Sequence, residues 1–302
     1  MAVLTLLTTS PRLPAGLLSG PAWRLIGSAT VLAAAESALV TAVREAGYEV
    51  RLAAAEDAAG IAKEAGAAVW LVDGGEEPAV DAGVIVERMA GSWDPPGGRL
   101  LDVVAVMDRL RSPGGCPWDA EQTHESLMPY LLEETYEAYD ALADGDLDAL
   151  REELGDVLLQ VAFHARLAEE RPAGSRWSID DVAAGLVDKL VNRHPHVFAA
   201  TAVSGAAEVH ENWEQIKRRE KSRESSMDGI ARTQPALALA AKVLSRAARA
   251  GVAVPLPDPS TLGGRLLALV AEARAAGEDP EGALRSTVLA YATAVRAAEA
   301  AG

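Results

Sequence analysis

The chain has 302 residues, 49% of them hydrophobic, with a formal net charge of −16 and one cysteine. This length accommodates two domains, or one domain with an extension, and the apolar content is ample for packed cores. The acidic balance excludes general nucleic-acid binding, which needs a broad basic surface against phosphates, and the lone Cys116 excludes an intrachain disulfide framework.

Cys116 fits a reducing compartment, and a cytoplasmic location is expected. Met1 to Leu7 is apolar but has no basic leader and breaks at Thr8-Thr9-Ser10-Pro11, which argues against a signal peptide. No uninterrupted apolar run reaches transmembrane length, so no membrane association is expected. Aromatic residues make up only 4% of the chain while alanine and leucine dominate, so helices packed through small aliphatic side chains should supply most of the core.

Short apolar runs at Val3 to Leu7, Tyr48 to Leu52 and Ala67 to Val72 read as strands, separated by helical stretches such as Ala33 to Glu45. They predict a small α/β segment over residues 1–99, closed by the turn-rich Trp93-Asp94-Pro95-Pro96-Gly97-Gly98. From Leu100 the pattern is helical, with predicted helices at Leu100 to Arg111, Ser126 to Ala143, Leu147 to Glu170, Ile179 to Arg193 and Glu208 to Ser222. The expected fold class is therefore mainly α: an all-α helical-bundle module over residues 100–222, preceded by the small α/β segment. A polar linker then leads to a helical C-terminal region, 234–302, where Pro235 opens one helix and Asp279-Pro280-Glu281 opens another.

Two acidic clusters stand out in the helical module: Glu133-Glu134-Thr135-Tyr136-Glu137 and Glu153-Leu154-Gly155-Asp156. On a helix, Glu134 and Glu137 lie about 60° apart on one face, as do Glu153 and Asp156 on the next. The link Ala143-Asp144-Gly145-Asp146, whose glycine suits a helix C-terminus, would fold the two segments into an antiparallel hairpin that makes four carboxylates converge. Left bare, each pair within 4 Å repels by about 1 kcal/mol in water and roughly 4 kcal/mol at an effective dielectric of 20. Charge runs are usually solvated helix faces. Such faces intersperse Lys or Arg, however, whereas Glu133/Glu137 and Glu152/Asp156 are like-charge i,i+4 pairs that weaken a helix unless a cation binds. Donors that are all oxygen suit a hard ion, Mg²⁺ first and Mn²⁺ second, and argue against zinc.

Cationic and aromatic candidates follow. Lys189 and Arg193 share a helix face at i,i+4, as do Trp213 and Lys217. The first pair also suits the C-terminal end of a helix dipole, Trp213 suits a core anchor, and Lys217 opens a charged run. Trp118 and Gln122 suit the pinning of a loop. His194 and His196 flank Pro195 without a nearby carboxylate or cysteine and read as loop structure.

In order, Cys116-Pro117-Trp118-Asp119, Gln122-Thr123, Tyr130 to Glu137, Glu153 to Asp156 and Arg193-His194-Pro195-His196-Val197-Phe198 resemble the MazG family of nucleoside triphosphate pyrophosphohydrolases, from about Leu101 to Lys221. The resemblance implies Mg²⁺-dependent cleavage of a nucleoside triphosphate between its α and β phosphates, giving the monophosphate and pyrophosphate, with clearance of surplus or noncanonical nucleotides as a use. Glu134, Glu137, Glu153 and Asp156 are then the metal set. Glu133, about 40° from Glu137, is either a further ligand or a general base, the latter being favoured. Lys189, Arg193, Trp213 and Lys217 match the family's basic and aromatic positions for substrate, and with a nucleotide substrate Trp118 and Gln122 become candidates for recognising the base, by stacking and by an amide at its edge, as much as for pinning a loop. Leu127, Leu131, Leu158, Val161 and Phe163 are expected to pack partly against a second subunit in a homodimer or larger homo-oligomer. The competing reading is a noncatalytic helical interaction protein with an ion-stabilised acidic hairpin, against which the intact carboxylates weigh.

The segment from Leu154 to Arg166 aligns without gaps on Leu262 to Arg274, a faded second copy in which Glu153 and Asp156 become Thr261 and Gly264. Its expected role is packing support. The first hundred residues bear a fainter resemblance to tetrapyrrole methylases, through Leu17 to Ile26. Where such a methylase would carry its glycine-rich cofactor loop this chain has Thr8-Thr9-Ser10-Pro11-Arg12, and the later glycine-aspartate-proline element appears as Gly75-Glu76-Glu77-Pro78, so methyl transfer is not expected.

Overall fold

A computed structural model of the chain describes residues 1–72, 77–78, 83–199, 205–206, 208–209, 212–213, 216 and 224–301. It resolves into two compact units, Met1–Gly185 and Leu186–Gly302. Gly75 and Glu76 of the methylase-like element, Lys217 and much of the expected 208–222 helix lie outside the described residues.

The first unit begins with a parallel sheet of β1 (Ala2–Thr8), β2 (Thr30–Ala33), β3 (Val50–Leu52), β4 (Ala67–Val72) and β5 (Val84–Ala90) in the order β3-β2-β4-β1-β5. Alternation along the central strands divides their side chains between two cores. Leu7, Val69, Leu71 and Val31 pack with Ala22 and Ile26 of α1 (Gly20–Ile26) and with Leu39, Val40 and Val43 of α2 (Ala38–Glu45). Leu4, Leu6, Ala68, Trp70 and Leu32 pack with Ala58, Ile61 and Ala62 of α3 (Ala58–Ala65).

The expected helix from Ala33 to Glu45 is corrected: Ala33 ends β2, and α2 starts only after Ser37, whose hydroxyl accepts from Val40 N–H at 3.2 Å. Thr30–Ala33, just ahead of the remaining alanines, is held extended by pairing with β4, and both β2 and β5 escape the sequence reading.

After the sheet come α4 (Arg99–Arg111), the short α5 (Pro117–Glu121), α6 (Met128–Asp144) and α7 (Leu147–Glu169). Gly145 takes the left-handed conformation, φ 72°, that ends α6, and its N–H reaches the carbonyls of Ala141 and Leu142. Asp146 then caps α7, its Oδ1 accepting from the N–H groups of Asp148 (3.1 Å) and Ala149 (3.0 Å). The expected αα-hairpin is thus closed by two adjacent residues. Met107 of α4, Leu127, and Ala162, Phe163 and Leu167 of α7 form its core. Leu127 and Phe163, expected at a subunit interface, are 1% and 2% exposed inside this chain, whereas Leu131 and Val161 remain open to solvent.

Ser10 and Arg12, in the loop after β1, tie the sheet to the helices. Ser10 Oγ and the Arg12 guanidinium both donate to Asp94, and Arg12 Nη2 also donates to Asp102 in the first turn of α4 at 2.5 Å. The stretch that stands where a methylase cofactor loop would be is therefore committed to an internal strap. The Ser10 hydroxyl, then Arg12, hold Asp94 below the usual carboxylate range, and Arg12 does the same for Asp102. Groups with depressed native values add stability above their unfolded values and lose it as pH falls through the native ones. Arg12→Met should accordingly melt below the wild type at pH 7, with the gap closing below about pH 4. Calorimetry showing a gap independent of pH would contradict this.

The second unit takes in the last turns of α8 (Ile179–Arg193), then α9 (Pro195–Phe198), α10 (Ala236–Arg249), α11 (Leu262–Ala275) and α12 (Pro280–Ala301). Ser178 and Asp181 cap α8 reciprocally: Asp180 N–H donates to Ser178 Oγ at 3.2 Å and Ser178 N–H to Asp181 Oδ2 at 2.7 Å. In the faded copy, Thr261 is the N-cap of α11, its hydroxyl accepting from Gly264 N–H at 3.0 Å. A Cβ on Gly264 would overlap the Asp258 carbonyl oxygen. The positions that align with Glu153 and Asp156 inside α7 thus serve here to start a helix.

A candidate carboxylate metal site and its surroundings

Glu134 and Glu137 project from α6 and Glu153 from α7, and each offers a carboxylate oxygen within 4.8 Å of the others. The hairpin produces this convergence: one turn of α6 brings two glutamates to one face, and the Gly145–Asp146 reversal sets α7 against it. Asp156 stands outside that close trio, but its charge acts on both Glu134 and Glu153.

Partial burial, then the charges of Asp156 and Glu137, push the Glu134 carboxyl above its ordinary value. Burial, then Glu137 and Asp156, do the same to Glu153. Glu137 thus presses on both Glu134 and Glu153 from the same face of the hairpin. A divalent cation fits this donor set, because it relieves the repulsion among converging carboxylates with oxygen ligands alone. Glu133 is exposed and adds its charge to Glu134.

The remaining predicted residues fall into two groups. In the first unit, Trp118 of α5 is 50% exposed, with its ring edge-on to Tyr130 at 6.0 Å and to Phe163 at 6.5 Å between centroids. The Gln122 side chain is engaged by its own loop, donating to Trp118 O at 2.9 Å and accepting from Ser126 Oγ at 2.7 Å. In the second unit, the Arg193 guanidinium lies 5.1 Å from the centroid of the Trp213 ring, a cation–π pair in which Arg193 is 6% exposed. Lys189 is exposed one turn earlier on α8.

Three features escape the sequence reading. Asp119 is buried beside Trp118. Arg111 reaches from α4 to both α5 and the end of α7. His124 and His164 stack, with Nδ1 atoms 2.8 Å apart, and Trp177 lies against His124. Burial and the neighbouring His124 lower the His164 imidazole. None of these follows a helical or strand period, so no periodicity signals them.

Residues 122–198 match the MazG nucleotide pyrophosphohydrolase domain. An uncharacterized 26.1 kDa protein of Streptomyces cacaoi is 52% identical over 216 residues, covering 71% of this chain and 88% of that one. A nucleoside triphosphate pyrophosphohydrolase of Mycolicibacterium smegmatis is 48% identical over 240 residues, or 78% of this chain and 70% of that protein. The enzyme of the same name from Escherichia coli is 47% identical over 165 residues, covering 53% and 60%. The matched residues 122–198 contain Glu133, Glu134, Glu137, Glu153 and Asp156, and it is on these residues, and on relatives aligned over most of their length, that the chain belongs to the MazG family of nucleotide pyrophosphohydrolases.

Proposed function

We propose that this chain hydrolyses nucleoside triphosphates between the α and β phosphates, releasing the monophosphate and pyrophosphate, and that the reaction requires Mg²⁺, with Mn²⁺ as a substitute. The observation that carries the reading is the convergence of Glu134, Glu137 and Glu153 from two helices of a MazG-family chain. Catalysis is assigned to the helical region 100–222, and packing support to 234–302.

Glu134, Glu137, Glu153 and Asp156 would hold the cation. Mg²⁺ bound there supplies positive charge to the phosphate oxygens and acidity to water. Glu133 is assigned as the general base that aligns the attacking water and accepts its proton as the phosphoanhydride bond breaks and pyrophosphate leaves. Lys189, Arg193 and Lys217 are assigned to the anionic tail of the substrate, and Trp213 to holding the Arg193 guanidinium plane. Trp118 offers its exposed ring to the base, and Gln122 retains one amide N–H for its edge beyond the bonds it makes in its loop.

Phosphorus NMR of the reaction mixture should show nucleoside monophosphate and pyrophosphate in equal amounts. Nucleoside diphosphate with orthophosphate would refute the cleavage site.

A homodimer or larger homo-oligomer completes the reading. Leu132 lies about 200° around α6 from Glu134, and with Leu142, Leu154 and Leu159 it leaves the hairpin with exposed leucines, 40% to 60% open, that a second copy would cover. Light scattering should give at least twice the chain mass; a monomer at micromolar concentration would contradict the assignment.

A further inference from the structure

We infer that Arg111 is a positioning residue for the nucleobase end of the substrate, locking α5 between α4 and α7 so that Trp118 presents its ring beside the acidic helix. The inference rests on the assignment of Trp118 above and deepens it.

With five residues and no side-chain cap, α5 is too short to be stable alone. Its entry is pressed onto the end of α4: Cys116 N–H donates to Leu110 O at 2.7 Å, and a Cβ on Gly115 would overlap that same carbonyl oxygen. At its exit the Asp119 carbonyl accepts twice, from the N–H of the C-cap residue Gln122 at 3.3 Å and from Nη1 of Arg111, which joins the end of α5 to α4.

The rest of the Arg111 fork is committed as well. Nε and Nη2 donate to the two carboxylate oxygens of Glu170, just past α7, at 2.7 and 2.9 Å. The Arg111 side chain is 8% exposed, and its guanidinium carbon is 6.0 Å from the centroid of the Phe163 ring. Phe163 in turn meets the edge of Trp118. One planar cation therefore fixes the backbone of α5 and one of the two rings that orient Trp118.

The second ring gives the direction. Tyr130, edge-on to Trp118, shares a face of α6 with Glu134, about 40° around the helix and about 6 Å along it. A base on Trp118 would thus project its phosphates toward the carboxylates. Lysine at position 111 keeps a charge but lacks the fork that serves a carbonyl and a bidentate carboxylate together.

The test is steady-state kinetics on whichever nucleoside triphosphate is hydrolysed best, for Arg111→Lys, Trp118→Ala and the double variant. Arg111→Lys should raise KM about tenfold, the order of a lost base–aromatic stack, with kcat within about twofold. Trp118→Ala should match that rise, and the double variant should add nothing to it. If Trp118→Ala leaves KM unchanged, the base assignment itself fails. If it raises KM while Arg111→Lys does not, or the effects multiply, the positioning inference alone fails. A loss confined to thermal stability also overturns it. Should Arg111→Lys melt below the assay temperature, Glu170→Ala, which removes the carboxylate that Arg111 shares with Arg166 and leaves the bond to α5, carries the same expectation for KM.

Discussion

Glu134→Gln lowers kcat at least about a hundredfold and, in metal-free protein at neutral pH, raises the melting temperature. The first effect follows from removing a carboxylate from a site whose cation must offset several kcal/mol of phosphate charge, each 1.4 kcal/mol being about tenfold in rate. The second follows from the raised Glu134 carboxyl, caused by burial and by the charges of Asp156 and Glu137. A group whose native value is raised favours folding below its unfolded value, about 4.3 for glutamate, and that contribution is lost as pH rises through the native value. Glutamine removes a charge that is unwelcome in the folded apo protein, so the variant should gain over wild type above about pH 5 and match it near pH 3. A variant with full activity, or one less stable than wild type without metal at pH 7, would contradict the role given to the cluster.

Phe163→Ala should cost about 3–5 kcal/mol, the range for truncating a fully buried phenylalanine. Phe163 is 2% exposed and packs with Met107, Leu127 and Leu167, so α4, α7 and the approach to α6 all lose the same partner. It also carries the edge of Trp118 and lies beneath the Arg111 guanidinium, so any folded remainder should show a raised KM. Urea unfolding gives the stability change directly; a loss under about 1 kcal/mol would mean that the cluster repacks around the gap.

The hairpin is legible in the sequence because its signals are local. Glu134 and Glu137 are one turn apart, Gly145 marks a helix end, and Asp146 marks the next start. The start of α8 is equally local, with Ser178 and Asp181 three residues apart capping each other. The sheet was only half visible. The expected helix reaches back to Ala33 because alanine favours it, but Ala33 ends a strand, Thr30–Ala33, that forms only through pairing with residues far along the chain.

The surroundings of the site were the least visible part. The ion pair between Arg111 and Glu170 joins residues 59 positions apart, and the one between Arg12 and Asp102 joins residues 90 apart. Charge patterning along a single helix cannot announce either one. The same reason explains why Leu127 and Phe163 were expected at an interface: their apolar character was clear, but α4, the element that covers them, was not paired with them in sequence.

The most direct test of the account is the rate of pyrophosphate release as Mg²⁺ is titrated into chelator-stripped wild type and Glu153→Gln at saturating nucleoside triphosphate. The account predicts no turnover in chelator, saturable activation of the wild type, and a half-activating Mg²⁺ concentration at least about tenfold higher in the variant. Turnover that persists in chelator, or coincident activation curves for the two proteins, would contradict the assignment of the α6–α7 carboxylates as the metal site.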